Sequence, residues 1–248
     1  MRQCRTFTRL LVTACLVLAT TVWCTAELAW GQRVRDTKFQ CGPAESLSQI
    51  LGRPTGNSVT LSVLSAADRE AYVEFGDKKG IYTNKTDTLL TSAGSPFEFE
   101  LERLRPDTRY YYRLCSRRPG EDHFTVGDEY TFHTRRPPGS TFTFALQGDS
   151  HPERLGKMYS SDLYVHTMRN VEEDRPDFYL TMGDDFSLDR LVNRGTLEQS
   201  SVNRVYAHQR SFLGLVGRSS SLFLVNGNHE QAAANWLDGT PNNPAVMT

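Results

Sequence analysis

Three short polar clusters carry the residues of this chain best suited to chemistry. They are Gly148-Asp149-Ser150-His151, Gly183-Asp184-Asp185 and Gly227-Asn228-His229-Glu230. Carboxylate oxygen, imidazole nitrogen and amide oxygen are the donor types that bind first-row divalent and trivalent metal ions. Asp149 and His151 have the spacing to serve one ion and Asn228 a second. Asp184 is the natural bridge between them, since a carboxylate can hold two cations roughly 3.5–4 Å apart, the separation that clamps a phosphoryl group for in-line attack. His229 directly follows a ligand, within reach of a substrate oxygen, where it would act as general acid or transition-state donor. Taken singly, each cluster also has a plain structural reading. Asp149, Asp184 and Asp185 could cap turns or helices, and Asn228 could stabilise a turn. Asp185 and Glu230 are expected to be exposed carboxylates outside the ligand set.

Each cluster follows a short apolar run, with at most one residue between: Phe142–Leu146, Phe178–Met182 and Ser221–Val225. These runs read as buried strands. Helices are expected between them, one over Ser161–Asp174 with Leu163, His166, Met168 and Val171 near its inner face, and one over Val202–Val216. Alternating strands and helices indicate an α/β unit with parallel strands. Such sheets place ligands beyond the carboxyl ends of their strands, so three distant segments would converge on one crevice. The glycine before each cluster permits a tight turn and close backbone approach.

Ahead of this unit the pattern is different. Ser58–Leu64, Glu70–Phe75, Phe97–Leu101, Tyr110–Leu114 and Glu129–His133 alternate with period two, with Gly, Pro, Asn and Asp between them. That is the pattern of a small antiparallel sandwich. Leu104-Arg105-Pro106-Asp107-Thr108-Arg109-Tyr110 resembles the turn of fibronectin type III domains, in which the Tyr hydroxyl bonds back to the corner. Pro137-Pro138 makes a short stiff linker between the two patterns.

Asp-x-His, Gly-Asp and Gly-Asn-His-Glu, in this order and at strand ends, resemble the calcineurin-like metallophosphoesterase superfamily. A fibronectin-like domain in front resembles the purple acid phosphatases and secreted phosphatases of the alkaline phosphatase D type. The resemblance implies a fibronectin III-like domain over 38–136, followed over 140–248 by the first part of an α/β metallophosphoesterase domain. It implies an exported hydrolase of small phosphate esters, working through water activated between two ions drawn from Fe, Zn or Mn. Two departures stand out. Ser187 occupies the position of the Tyr that colours purple acid phosphatases, so no Tyr-to-iron charge transfer is expected. The family completes its site with a later His and a Gly-His-x-His motif, and no histidine follows His229 before Thr248. The chain therefore reads as the front part of a longer phosphoesterase. A binding or adhesion module, or a metal-binding pseudoenzyme, are the alternatives should it end there.

The formal net charge is −1, with 28 Lys and Arg against 29 Asp and Glu, so no basic excess points to nucleic acid. Arg2, Arg5 and Arg9 precede an apolar run ending in Cys24-Thr25-Ala26, the layout of a secretory signal peptide over residues 1–26. Its removal takes three arginines and no acid and leaves a balance of −4, a mildly acidic exported product without a stable membrane span. An anchor is the competing reading, although the run is short for a full span. Cys41 and Cys115 would remain, either paired across the first domain or both free. Asn84-Lys85-Thr86 is a glycosylation sequon where the host glycosylates its exports.

Overall fold

The computed structural model describes residues 47–231 apart from 152, 153, 155 and 158, all within one compact unit. The signal peptide and Cys41 lie outside the described residues. Eight strands come first: β1 (Ser48–Gly52), β2 (Val59–Leu64), β3 (Arg69–Gly76), β4 (Asn84–Lys85), β5 (Leu89–Thr91), β6 (Phe97–Leu101), β7 (Arg109–Arg117) and β8 (Thr125–His133). They form two antiparallel sheets, one ordered β1-β2-β6 and one ordered β4-β3-β7-β8 with β5 also on β3. Alternation explains how they meet. Leu61 and Val63 of β2, Val73 and Phe75 of β3, and Tyr112 and Leu114 of β7 are all buried in one cluster, whereas the residues between them, Ser62, Glu74 and Arg113, are less buried. Strands of period two bury one face, and two such faces close a sandwich core.

The corner before β7 is bonded as its sequence suggested. The Arg105 backbone N–H donates to the Tyr110 hydroxyl oxygen at 2.9 Å. Thr134 Oγ1 donates to the Arg105 carbonyl at 2.7 Å, tying the end of β8 to the same turn. Cys115 on β7 is a buried free thiol, and burial raises its pKa.

Beyond the Pro137-Pro138 segment, β9 (Phe144–Gln147), β10 (Phe178–Thr181) and β11 (Ser221–Leu224) form a parallel sheet in the order β11-β10-β9. Helix α1 (Ser161–Asp174) connects β9 to β10; a short α2 (Asp189–Asn193) and a long α3 (Gln199–Gly217) connect β10 to β11. The Ser160 side chain caps α1 by accepting from Leu163 N, and Arg175 ends it in a left-handed conformation just before Pro176. The buried residues of α1 are Tyr164, Val165 and Met168, whereas Leu163 is 66% exposed and His166 is exposed. The inner face expected from Leu163, His166, Met168 and Val171 is thus turned by about one residue, which is 100° on a helix. The tilted aromatic contact of Tyr164 with Phe212 of α3, centroids 5.4 Å apart, takes the place the sequence suggested for Leu163.

Polar side chains join the sandwich to the helical layer. Arg210 of α3 donates to Ser48 Oγ at 3.1 Å and to the Ser62 carbonyl at 2.8 Å. Tyr112 donates its hydroxyl to the Arg218 carbonyl at 2.7 Å, and Arg218 pairs with Glu172 of α1. No helix among the described residues is long and apolar enough to cross a membrane.

Candidate metal centre

The carboxyl ends of β9, β10 and β11 lie side by side because the sheet is parallel and in register: Gln147 is level with Thr181, and Thr181 with Leu224. The polar clusters therefore begin within three residues of one level, at Gly148, Gly183 and Gly227. Backbone bonds then cross between them, from Asp149 N to the Gly183 carbonyl (3.2 Å), His151 N to the Asp184 carbonyl (3.0 Å) and Leu188 N to the His229 carbonyl (3.1 Å). The approach is close enough to require glycine. A Cβ on Gly183, at φ +99°, would lie 2.5 Å from Gly227 N, and one on Gly227 would lie 2.3 Å from Asp184 Oδ1.

This geometry gathers residues distant in sequence. One ligand atom each from His151, Asp184 and His229 lies within 4.8 Å of the other two. The His151 and His229 rings meet edge to face, centroids 4.7 Å apart, and the His229 backbone N–H donates to Asp184 Oδ1 at 3.0 Å. His151 and Asp184 are buried. Asp149 stands at the rim, its side chain 77% exposed, with Oδ1 3.7 Å from His151 Nε2. Asn228 is exposed in the turn between Gly227 and His229. The compact group is thus His151, Asp184 and His229, with Asp149 beside it and Asn228 on its outer side. Asp149, His151 and Asp184 all have positive φ, at 55°, 46° and 59°. Left-handed backbone at non-glycine residues is uncommon and gathers where function holds it.

Three further residues shape the site. Asp189, the first residue of α2, accepts from His229 Nδ1. An ionised carboxylate can only accept, so this bond fixes the tautomer and leaves Nε2 for an ion or a substrate. Asp185 and Glu230, expected to be exposed, are instead buried at 0% and 1%. Glu230 folds back into the loop it follows and accepts from four backbone N–H groups: Asp184 (2.9 Å), Asp185 (2.8 Å), Phe186 (2.9 Å) and Gly227 (2.8 Å). Asp185 points beneath the sheet end, where Gln147 Nε2 donates to it at 2.8 Å and to Tyr164 Oη at 3.0 Å. Burial pushes Asp185 up to about 6 and keeps the Tyr164 and Tyr179 phenols protonated well above their ordinary range. Of these partners, Asp189 carried a trace in the sequence as a carboxylate close after Gly-Asp. The acceptor role of Glu230 could not be read from a single chain position.

Two imidazoles and a carboxylate converging in a mostly buried crevice fit a divalent first-row ion. Such a donor set can polarise a bound phosphate oxygen and supply an activated water, and the exposed Asp149 rim leaves an open approach.

No protein-family model and no curated protein sequence matches the chain. The structure of PhoD superposes with a TM-score of 0.57 at 14% identity, over 81% of this chain and 42% of PhoD. This chain therefore spans less than half the length of that protein, and the likeness is one of fold. The fn3 domain of human collagen alpha-1(XX) chain matches 40% of this chain and 87% of its own length, at 16% identity and a TM-score of 0.28, too low to support an argument.

Proposed function

We propose that the complete protein is an exported metallophosphoesterase and that Asp149, His151, Asp184, Asn228 and His229 belong to its metal centre. The observation that carries this reading is the meeting of three parallel strand ends, which puts donor atoms of His151, Asp184 and His229 within 4.8 Å of one another. The PhoD-like fold supports it, since the three motifs also resemble phosphatases of the alkaline phosphatase D type.

In this reading Asp149 and His151 would hold one ion, drawn from Fe, Zn or Mn, Asn228 would serve a second, and Asp184 would be shared between them. A bound pair of ions supplies charge neutralisation and an activated water. The chain's own residues do the rest. His229 is held by Asp189 through Nδ1, so Nε2 is aimed at a leaving-group oxygen and hands it a proton as the ester bond breaks. Asp189 keeps the ring from swinging. Ser187 stands where a purple enzyme has its tyrosine, so an iron-loaded sample is expected to lack a visible phenolate-to-iron band.

The test is hydrolysis of p-nitrophenyl phosphate and its bis ester by the protein of the full gene, with Zn, Mn or Fe, before and after chelation. Asp184→Asn is expected to bring metal-dependent turnover down to background. Near-wild-type turnover in that variant would remove the bridging assignment. Metal binding without turnover in the wild type would identify a pseudoenzyme.

A further inference from the structure

Glu230 is almost wholly buried, and among the described residues its carboxylate is met by four backbone amides. Its Oε1 receives Asp185 N and Phe186 N, and its Oε2 receives Asp184 N and Gly227 N. A carboxylate has about four lone-pair sites, and all are used here. These amides come from the ends of two different strands. Asp184, Asp185 and Phe186 follow β10, and Gly227 follows β11. A single side chain therefore fastens both loops at once.

The fastening bears on the direction of the neighbouring side chains. Asp184 sits at φ 59° directly after Gly183 at φ +99°, a turn that would relax to extended backbone without a restraint. Successive N–H groups pointing to one side form a nest that wants an anion. Glu230 fills that nest from the protein side. The Asp184 backbone is thereby held so that its carboxylate faces His229 N and the His151 ring rather than turning to its own loop.

We propose that Glu230 is the positioning residue of the centre: it locks the β10 and β11 loops together and thereby sets the geometry in which Asp184 meets an ion with His229 beside it. The proposal rests on the metal-centre reading for its consequence, but its geometric part stands apart from it. Glu230→Gln keeps the shape and puts an amide N–H₂ group where two backbone donors point. Two of the four bonds then become donor against donor.

The experiment compares wild type, Glu230→Gln and Leu213→Ala, the last a buried α3 position outside the β10 and β11 loops, chosen to lower stability while leaving the four bonds to Glu230 in place. Mn²⁺ affinity is measured by calorimetry and electron paramagnetic resonance, together with thermal stability. Glu230→Gln is expected to bind Mn²⁺ about 10–100-fold more weakly, the usual effect of losing a partner that orients a ligand. Leu213→Ala is expected to keep its affinity at an equal or larger loss in Tm. Equal Mn²⁺ affinity in wild type and Glu230→Gln would overturn the proposal. Amide hydrogen exchange in the wild-type protein gives a second reading that needs no metal and no variant. The Asp184, Asp185, Phe186 and Gly227 amides should exchange as slowly as those of β10, and fast exchange at these four would overturn the clamp even if Glu230→Gln fails to fold. If the wild type binds no Mn²⁺ while the four amides are protected, the metal reading fails and the clamp is upheld.

Discussion

The sandwich and the parallel sheet solve the burial problem in opposite ways. In the sandwich, residues of both sheets point inward and close one core, with Leu51, Leu61, Val63, Val73 and Tyr112 at 0% exposure. The parallel sheet is packed on the side of α1 and α3, where Tyr179, Met168 and Phe212 are buried. Its other side carries Phe144, Leu146, Met182 and Phe223, each between 41% and 56% exposed, with Phe144 and Phe178 stacked 5.2 Å apart. Parallel sheets are ordinarily covered on both faces. Positive φ is distributed just as unevenly. In the sandwich it falls on turn residues such as Arg53, Arg103 and Asp107; in the sheet it falls on Asp149, His151 and Asp184. The sandwich keeps its irregular backbone away from its core, whereas the parallel sheet spends it on the side chains of the candidate centre. The irregular backbone of the first region serves its turns, whereas that of the second gathers at the strand ends where His151, Asp184 and His229 meet.

Glycine substitutions test that contrast most severely. Gly227→Ala would drive a methyl to 2.3 Å from Asp184 Oδ1 and 2.7 Å from its backbone nitrogen. It is expected to abolish metal binding, as measured by calorimetry. Gly52→Ala in the sandwich meets nothing within 4 Å and should leave metal binding unchanged. If both are tolerated, the strand ends are not the tight junction described above.

Next in size are the acid and its support. His229→Ala should lower kcat about 10²–10⁴-fold, the range for a general acid. Asp189→Asn should cost about 10–100-fold, since the ring loses its partner but keeps its place. Equal losses for the two would make Asp189 a direct participant.

The smallest effects concern stability. Leu61→Ala empties a fully buried site and should cost about 2–5 kcal/mol in a denaturant titration. Phe144→Ala, at a position 49% exposed, should cost much less and should reduce binding of a hydrophobic dye such as ANS. A large stability loss at Phe144 would show that the face is covered in solution.

Much of this contrast was written in the sequence because local rules govern it. Period-two alternation marked β2, β3, β6, β7 and β8, and the apolar runs ending in Gly-Asp and Gly-Asn marked β9, β10 and β11. The very short strands β4 and β5 carry too few residues to show a period, and in β1 two polar residues are followed by two apolar ones, so no alternation marks it. In α1, Leu163 looked like an inward residue and is outward, because burial there follows the aromatic partner on α3 rather than local hydrophobicity. At the site, Asp149, His151, Asp184 and His229 were visible as strand-end donors. Asp185 and Glu230 were read as exposed, since a lone acid beside a turn gives no sign that the chain will fold amides around it. That information resides in the contact between β10 and β11, which no single stretch of sequence contains.

Residue-resolved NMR of the histidines during a Mn²⁺ titration tests the central claim most directly, namely that three strand ends converge on one ion site. Paramagnetic broadening should strike His151 and His229 first and at substoichiometric metal. The rings of His166 and His208, exposed on α1 and α3, should broaden only later. Broadening spread evenly over all histidines, or absent from His151, would contradict the account.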